Sequence, residues 1–328
     1  MGPLKFIPIL KRIRWGGRRL GELLGKPIGD AFDYAESWEI CDHGADQSVV
    51  ESGAFSGWNL QKLVRERPHE LLGRHCGAQK FPLLLKFLDA HDRLSVQVHP
   101  NDAQATNYFA GERGKTEAWI ILAADPGSCV FAGLKQEIDE STLREALDRG
   151  RVEKCLHRVE VATGDCLFIP AGIVHAIGEG IVLAEVQQSS DLTFRLFDWN
   201  RLGTDGQPRP LHIEQSLDCI DFGLGPVNPV KPVVVSDADH AVEELVHCPY
   251  FTIRRHAVSQ PVTIGADERC HILMGLQGSA TCCGVGGSQL LAVGDTLLLP
   301  ASALPAIVTP ESPCVVLEVF WDVPSGEF

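Results

Sequence analysis

Three short stretches of this chain carry residue types that could do chemistry together. The first is LSVQVHPND (residues 94–102). Read as a strand, its side chains alternate between two faces. Leu94, Val96 and Val98 then share an apolar face, while Ser95, Gln97 and His99 share a polar one. The second stretch is KTEAWIIL, which places Glu117 on another strand-like run, and the third is GDCLFIPAGIVH (residues 164–175), which ends on His175. Two imidazoles, a carboxylate and an amide oxygen suit a divalent first-row metal. Zinc is the commonest match for nitrogen and oxygen donors that leave one position open to water or substrate. A glutamine is a weak ligand, so the set points to a Lewis-acid site rather than a closed structural one. A strand histidine by itself is more often a core or surface residue; the pair Gln97 and His99 gains weight only from the other two stretches.

The elements that must position these residues are mostly strands. Thirty-two glycines and twenty prolines punctuate short apolar runs, the pattern of many short strands. Helical spacing is confined to WNLQKLVRER (residues 58–67) and STLREALD (residues 141–148), with Ser141 as the expected N-cap and Gly150 as the expected stop. The chain also echoes itself. GDCLFIPAGIVH recurs 130 positions later as GDTLLLPASALP (residues 294–305), and each copy is followed by a strand-like run holding a glutamate, VLAEV at Glu185 and VVLEV at Glu318. Such an echo implies two copies of one β module. The second copy has Pro305 where the first has His175, so only the first can use that histidine. A boundary is expected in the proline-rich PVNPVKPVVV (residues 226–235).

Bulk properties narrow the class further. The 328 residues suit two domains or one large two-part domain. A formal net charge of -14 disfavours nucleic acid and anionic membranes as partners, but a local basic site could still hold an anionic small molecule. No apolar run reaches the length needed to span a bilayer. The N-terminal patch MGPLKFIPILKRIRWGG is followed by no small-residue cleavage site and is not expected to act as a secretion signal. Eleven scattered cysteines, without a CxxC pair, are then expected as reduced thiols in the cytoplasm.

The segment from Gly164 through Pro170, Ala171 and Gly172 to His175 resembles the second metal motif of the cupins, with Glu179 where an asparagine is common. The first cupin motif usually reads HxH with a nearby glutamate; here it reads QxH, and the glutamate is displaced by a long loop. LSVQVHPND, GKTEAWIIL, IPAGIVHAIG and SSDLTFRLFDWNR, in that order, resemble the type I mannose-6-phosphate isomerases, the shorter bacterial members in particular. IRWGG (residues 13–17) and ESWEI (residues 36–40) fit as well. The resemblance is specific over roughly residues 5–200 and looser beyond.

It implies a mainly β fold of two cupin modules (jelly-roll β-barrels or sandwiches) with a few helices: a catalytic domain over residues 1–230 and a degenerate C-terminal domain over residues 231–328 without metal ligands. It implies one Zn2+ per chain on Gln97, His99, Glu117 and His175. It implies an active site with Lys115, Arg195, Glu185 and Asp191, and Lys86 and Ser95 near the phosphate end. Trp15 is a further substrate contact, although tryptophans placed like Trp15 and Trp38 are more often core than substrate-stacking residues. Gly114 stands where longer members carry a histidine, so any proton shuttling by that histidine is absent or elsewhere. The implied reaction is aldose–ketose isomerisation of mannose 6-phosphate and fructose 6-phosphate through an enediol, in a monomer or homodimer. It needs a base, for which Glu185 is the candidate, an electrophile at the enediolate oxygen, and cations such as Lys115 and Arg195 for oxyanions. Glu185, Gln187, Asp191 and Arg195 are expected to share one strand face if the SSD turn keeps register. Two alternatives stay open: a related isomerase or epimerase on another sugar, and a non-catalytic sugar-phosphate-binding regulator.

Overall fold

The computed structural model describes residues 1–202, 206–235 and 241–322. Its site-bearing half is a sandwich of two antiparallel sheets. One sheet runs in the spatial order Cys166–Ile169, Glu117–Ala124, Ile181–Gln188, Leu83–Ala90, Tyr34–Ile40, Ile9–Gly17. The other runs Leu156–Glu160, Cys129–Leu134, His175–Ile177, Val96–Val98, Phe194–Phe197. Their inner faces meet through Leu88, Trp119, Ile121 and Leu183 from the first sheet and Val130, Ala132 and Ile177 from the second. The fold is mainly β and built as jelly-roll modules, as the echo and the glycine–proline punctuation imply.

The two-residue period sorts buried side chains to different jobs. Val96 and Val98 face outward, into a layer closed by Leu143 of the helix Glu140–Asp148 and Leu217 of the helix Ile213–Cys219. Leu94 does not share that face. It precedes the strand and packs inward with Trp15 and Trp119. On the first sheet, Leu83, Leu85 and Phe87 face away from the site. They share one core with Ile253, Ile272, Leu298 and Leu317 of the C-terminal sheet, so the two halves pack back to back.

The C-terminal sandwich also draws a strand from the start of the chain. Its larger sheet includes Thr252–Val258, Cys314–Phe320, His271–Gln277 and Thr296–Leu299, and then takes Leu4–Ile7 from the N-terminus as a neighbour of Thr296–Leu299. The echo is seen in the register. Ile169 pairs with Glu117, and its counterpart Leu299 pairs with His271; Glu185 pairs with Trp119, and Glu318 with Leu273. His271 thus occupies the place of Glu117, and Glu318 that of Glu185. His271 lies between Glu318 (2.7 Å) and Asp267 (3.0 Å), and His256 lies 2.8 Å from Glu318.

Two local expectations change. The helix Glu140–Asp148 is capped by Asp139, whose side chain accepts from Thr142 N at 2.8 Å, and Ser141 donates to the capping carboxylate instead. The Pro-Asn-Asp after His99 starts a helix, Asp102–Tyr108, with Asn101 and Gln104 forming a capping box. All eleven cysteines are free thiols, and no helix among the described residues is long and apolar enough to cross a membrane.

Because the two halves share one core, Leu317→Ala is expected to cost about 2–5 kcal/mol. Scanning calorimetry is expected to show one transition shifted as a whole; two separating transitions would contradict the shared core.

Candidate metal centre and cavity

The sandwich brings the polar face of residues 94–102 against the start of the strand Glu117–Ala124. Gln97 pairs in register with both His175 and Arg195, so three site residues lie side by side on one sheet. Glu117 comes from the opposite sheet, where it is fully buried. His99 Nε2 lies 3.4 Å from Glu117 Oε2, and His175 Nε2 lies 3.4 Å from Oε1. Gln97 completes the set, with its amide 3.3 Å from His175 Nε2. Turning the amide over places its oxygen there, a choice that hydrogen bonding rather than atom positions decides.

Both imidazoles are aimed. His99 Nδ1 donates to Leu192 O at 2.8 Å and His175 Nδ1 donates to Ile173 O at 2.9 Å. Each ring therefore presents an Nε2 lone pair to the site. Burial, helped by Lys115, depresses His99 to about 3, and burial lowers His175 too, so both stay neutral at physiological pH. Burial alone would raise Glu117, but the adjacent Lys115 ammonium outweighs it and holds the carboxyl well below its usual range. Lys115 Nζ lies 2.8 Å from Glu117 Oε2 and 3.1 Å from His99 Nε2. Neither carboxylate oxygen accepts a well-aligned hydrogen bond.

These donors fit a metal. Bonds of about 2.0–2.1 Å to a tetrahedral ion set neighbouring ligand atoms about 3.3 Å apart. Each imidazole Nε2 lies 3.4 Å from one oxygen of Glu117, a different oxygen for each ring, the Gln97 amide lies 3.3 Å from His175 Nε2, and the donor atoms of His99, Glu117 and His175 fall within 4.8 Å of one another. His99, Glu117 and His175 are the one buried group of this kind among the described residues.

A cavity of about 260 Å³ opens beside this cluster. Trp15, Lys86, Ser95, Lys115, Glu185, Asp191 and Arg195 all line it, as does Gln97. Glu185 and Arg195 do not share a strand face, however. Glu185 is on Ile181–Gln188 of one sheet and Arg195 on Phe194–Phe197 of the other, because the chain crosses between sheets at the SSD turn. The two therefore confront each other across the cavity, with Asp191 exposed in the turn. Lys115 likewise precedes its strand, yet its ammonium still reaches Glu117.

The acid and base groups are tuned by their neighbours. Burial, reinforced by Glu117, raises Glu185 to about 7. Glu185 accepts from Trp119 Nε1 at 3.2 Å, and Lys86 Nζ lies 3.4 Å from its other oxygen. Lys86 also lies 3.6 Å from Glu36 and 4.8 Å above the Trp38 ring; Glu36 and Glu185 hold it cationic against the opposing effect of burial. Arg195 donates from Nη1 to Pro210 O at 3.0 Å, and its Nε is buried without a partner among the described residues.

Sequence reasoning missed two charged groups on the cavity wall, Glu36 and Arg209. Glu36 lies within the quoted ESWEI, so its signal was visible. Arg209 was not legible: it is fixed by Asp198 through contacts of 2.7 and 2.6 Å, and no spacing rule links the two. The glycine at position 114 has a packing reason. A Cβ there would lie 2.6 Å from Asp102 N, so no larger residue fits without moving backbone.

His99→Ala and His175→Ala are each expected to abolish stoichiometric binding of a divalent metal at this cluster, read by metal analysis after gel filtration. The circular dichroism spectrum is expected to stay that of the parent chain.

Comparison with known proteins places these residues in a family. The phosphomannose isomerase type I catalytic domain model matches residues 4–134. Mannose-6-phosphate isomerase of Streptococcus mutans is 38% identical over 87% of this chain and 88% of its own length. Mannose-6-phosphate isomerase ManA of Bacillus subtilis is 34% identical over 91% and 93%. The crystal structure of the Bacillus subtilis mannose 6-phosphate isomerase superposes with a TM-score of 0.88 at 27% identity, covering 98% of this chain and 100% of that one. With identity and coverage of this extent, the chain belongs to the type I phosphomannose isomerase family.

Proposed function

We propose that the chain is a zinc-dependent aldose–ketose isomerase that interconverts mannose 6-phosphate and fructose 6-phosphate by enediol proton transfer, working in the cytoplasm, where eleven free thiols stay reduced. The observation that carries this reading is the pairing of a three-donor buried cluster with a cavity that holds one carboxylate near neutrality and several cations. Gln97, His99, Glu117 and His175 would hold a zinc ion, which when bound would supply a Lewis acid beside the substrate.

The chain's own groups account for the rest. Glu185 takes the C2 proton of the aldose and returns it at C1, while the hydroxyl proton passes from O2 to O1 in the enediol, so carbonyl and hydroxyl exchange places; the reverse reaction uses the same carboxylate. Its raised pKa keeps it basic enough for the transfer at neutral pH. Lys86 and Trp119 fix its orientation. Lys115 stabilises the enediolate oxygen from the metal side of the cavity. Arg195 offers its unpartnered Nε to an oxyanion, and Arg209 adds a second guanidinium, so these two and Ser95 form the anchor for the phosphate. Asp191 sits at the rim of the cavity, where its charge adds to those that keep Lys86 cationic.

A coupled assay with mannose 6-phosphate, run beside a panel of other sugar phosphates, tests the reading. Activity is expected with mannose 6-phosphate, to vanish on chelation and to return with zinc; metal-replete protein without turnover would sink it. Glu185→Gln is expected to lower kcat by roughly 10²–10⁴ with little change in KM. The base works ionised, so kcat/KM is expected to fall as pH drops, with a midpoint at or below about 7 because a bound cation favours the ionised form. That acid limb is expected to be missing from the Gln variant.

A further inference from the structure

Three consecutive backbone amides lead into Glu117, and each is held by a separate bond. Gly114 N donates to Asp102 Oδ1 at 2.9 Å, Lys115 N to Pro100 O at 3.0 Å, and Thr116 N to Gln188 Oε1 at 2.8 Å. Asp102 joins two of these clamps, because Gln188 Nε2 also donates to its Oδ1 at 3.1 Å. Its second oxygen accepts from Tyr250 OH at 2.7 Å.

Tyr250 belongs to the C-terminal half, in the hairpin between Val242–His247 and Thr252–Val258. That hairpin is stiff. Cys248 N donates to Phe251 O at 3.0 Å, and Phe251, 1% exposed, meets the ring of Phe168 edge-on at 6.5 Å. Phe168 lies on the strand that pairs with Glu117–Ala124. There is little slack at the other end either, since Gly114 touches the Asp102 backbone so closely that a Cβ cannot be accommodated.

Resting on the isomerase reading above, we infer that Tyr250 and Asp102 are positioning residues, through which the C-terminal half sets where Lys115 and Glu117 stand in the metal-bearing site. A phenol-to-carboxylate bond is charge-assisted and directional. Partners behind a ligand that tune its placement are typically worth 10–100-fold in metal affinity or activity. The C-terminal half, which holds no comparable donor cluster among its described residues, thereby acquires a part in the reaction.

The test uses the full chain with Tyr250→Phe, Asp102→Ala and Asp102→Asn. Zinc affinity is read by competition with a chromophoric chelator, kcat and KM with mannose 6-phosphate, and Tm on the metal-free protein. Tyr250→Phe, which removes only a hydroxyl, is expected to weaken zinc about tenfold and to lower kcat with KM within twofold. Asp102→Ala is expected to lose up to about a hundredfold in zinc affinity. Asp102→Asn keeps an acceptor oxygen for Gly114 and Gln188 and can donate to the Tyr250 oxygen, so it is expected to lie within a few-fold of the parent. The inference is overturned if Tyr250→Phe and Asp102→Ala lose Tm but bind zinc and turn over like the parent, or if the Asn variant is as poor as the Ala variant. A parent chain that binds zinc without isomerising mannose 6-phosphate would defeat the isomerase reading alone, because the zinc affinities still decide the positioning role.

Discussion

The buried carboxylate of Glu117 is the constraint around which the sandwich is arranged. An ionised carboxylate without solvent is costly unless positive charge or hydrogen-bond donors face it. Here the ammonium of Lys115 supplies that charge at 2.8 Å, and the two aimed imidazoles line the rest of the cluster with lone pairs, a setting that suits a cation. Three groups from two sheets and a loop must arrive together, so strand register, the turn before Glu117 and the backbone carbonyls behind each histidine all become functional features. Leu192 O and Ile173 O decide the tautomer of each ring, and with it whether a lone pair is available at all.

The same site holds two carboxylates with opposite tuning. Glu117 is kept ionised by the adjacent Lys115 ammonium, whereas Glu185, buried and facing the charge of Glu117, is raised to about 7. Environments that push two titratable groups apart mark separate roles. Glu117 suits holding a cation, and Glu185 suits moving a proton. Lys86 belongs with Glu185 and Glu36, whose charges keep this deeply buried lysine protonated, and it contacts both carboxylates.

The C-terminal half shows what the same scaffold becomes without the donor set. His271 stands at the register position of Glu117, and Glu318 at that of Glu185. There the groups satisfy one another. Despite burial, His256 and His271 draw Glu318 down to about 2, and His271 is raised by Asp267 and Glu318 on its two nitrogens. Both ring nitrogens of His271 are engaged by carboxylates, so neither is turned to a metal site. The half instead contributes core, through residues such as Leu317 and Ile272, and reaches the site through Tyr250.

The sequence by itself determined the β architecture, the two-module echo and the identity of the residues around the site. Strand alternation puts Gln97 and His99 on one face, and the GDCLFIPAGIVH pattern delivers His175 from a second strand. Those are short-range rules, legible because periodicity is local. Only the tertiary structure decided that Glu185 and Arg195 confront each other across a cavity instead of sharing a face, since a crossing between sheets is invisible to a parity count. It also decided that Leu94 turns inward, that Asp139 rather than Ser141 caps its helix, that Arg209 joins the wall through Asp198, and that Gly114 is needed where Asn101 and Asp102 pass. These outcomes depend on contacts between segments far apart in the chain, or on which of two neighbouring polar groups reaches a free amide, and neither carries a spacing that a sequence displays.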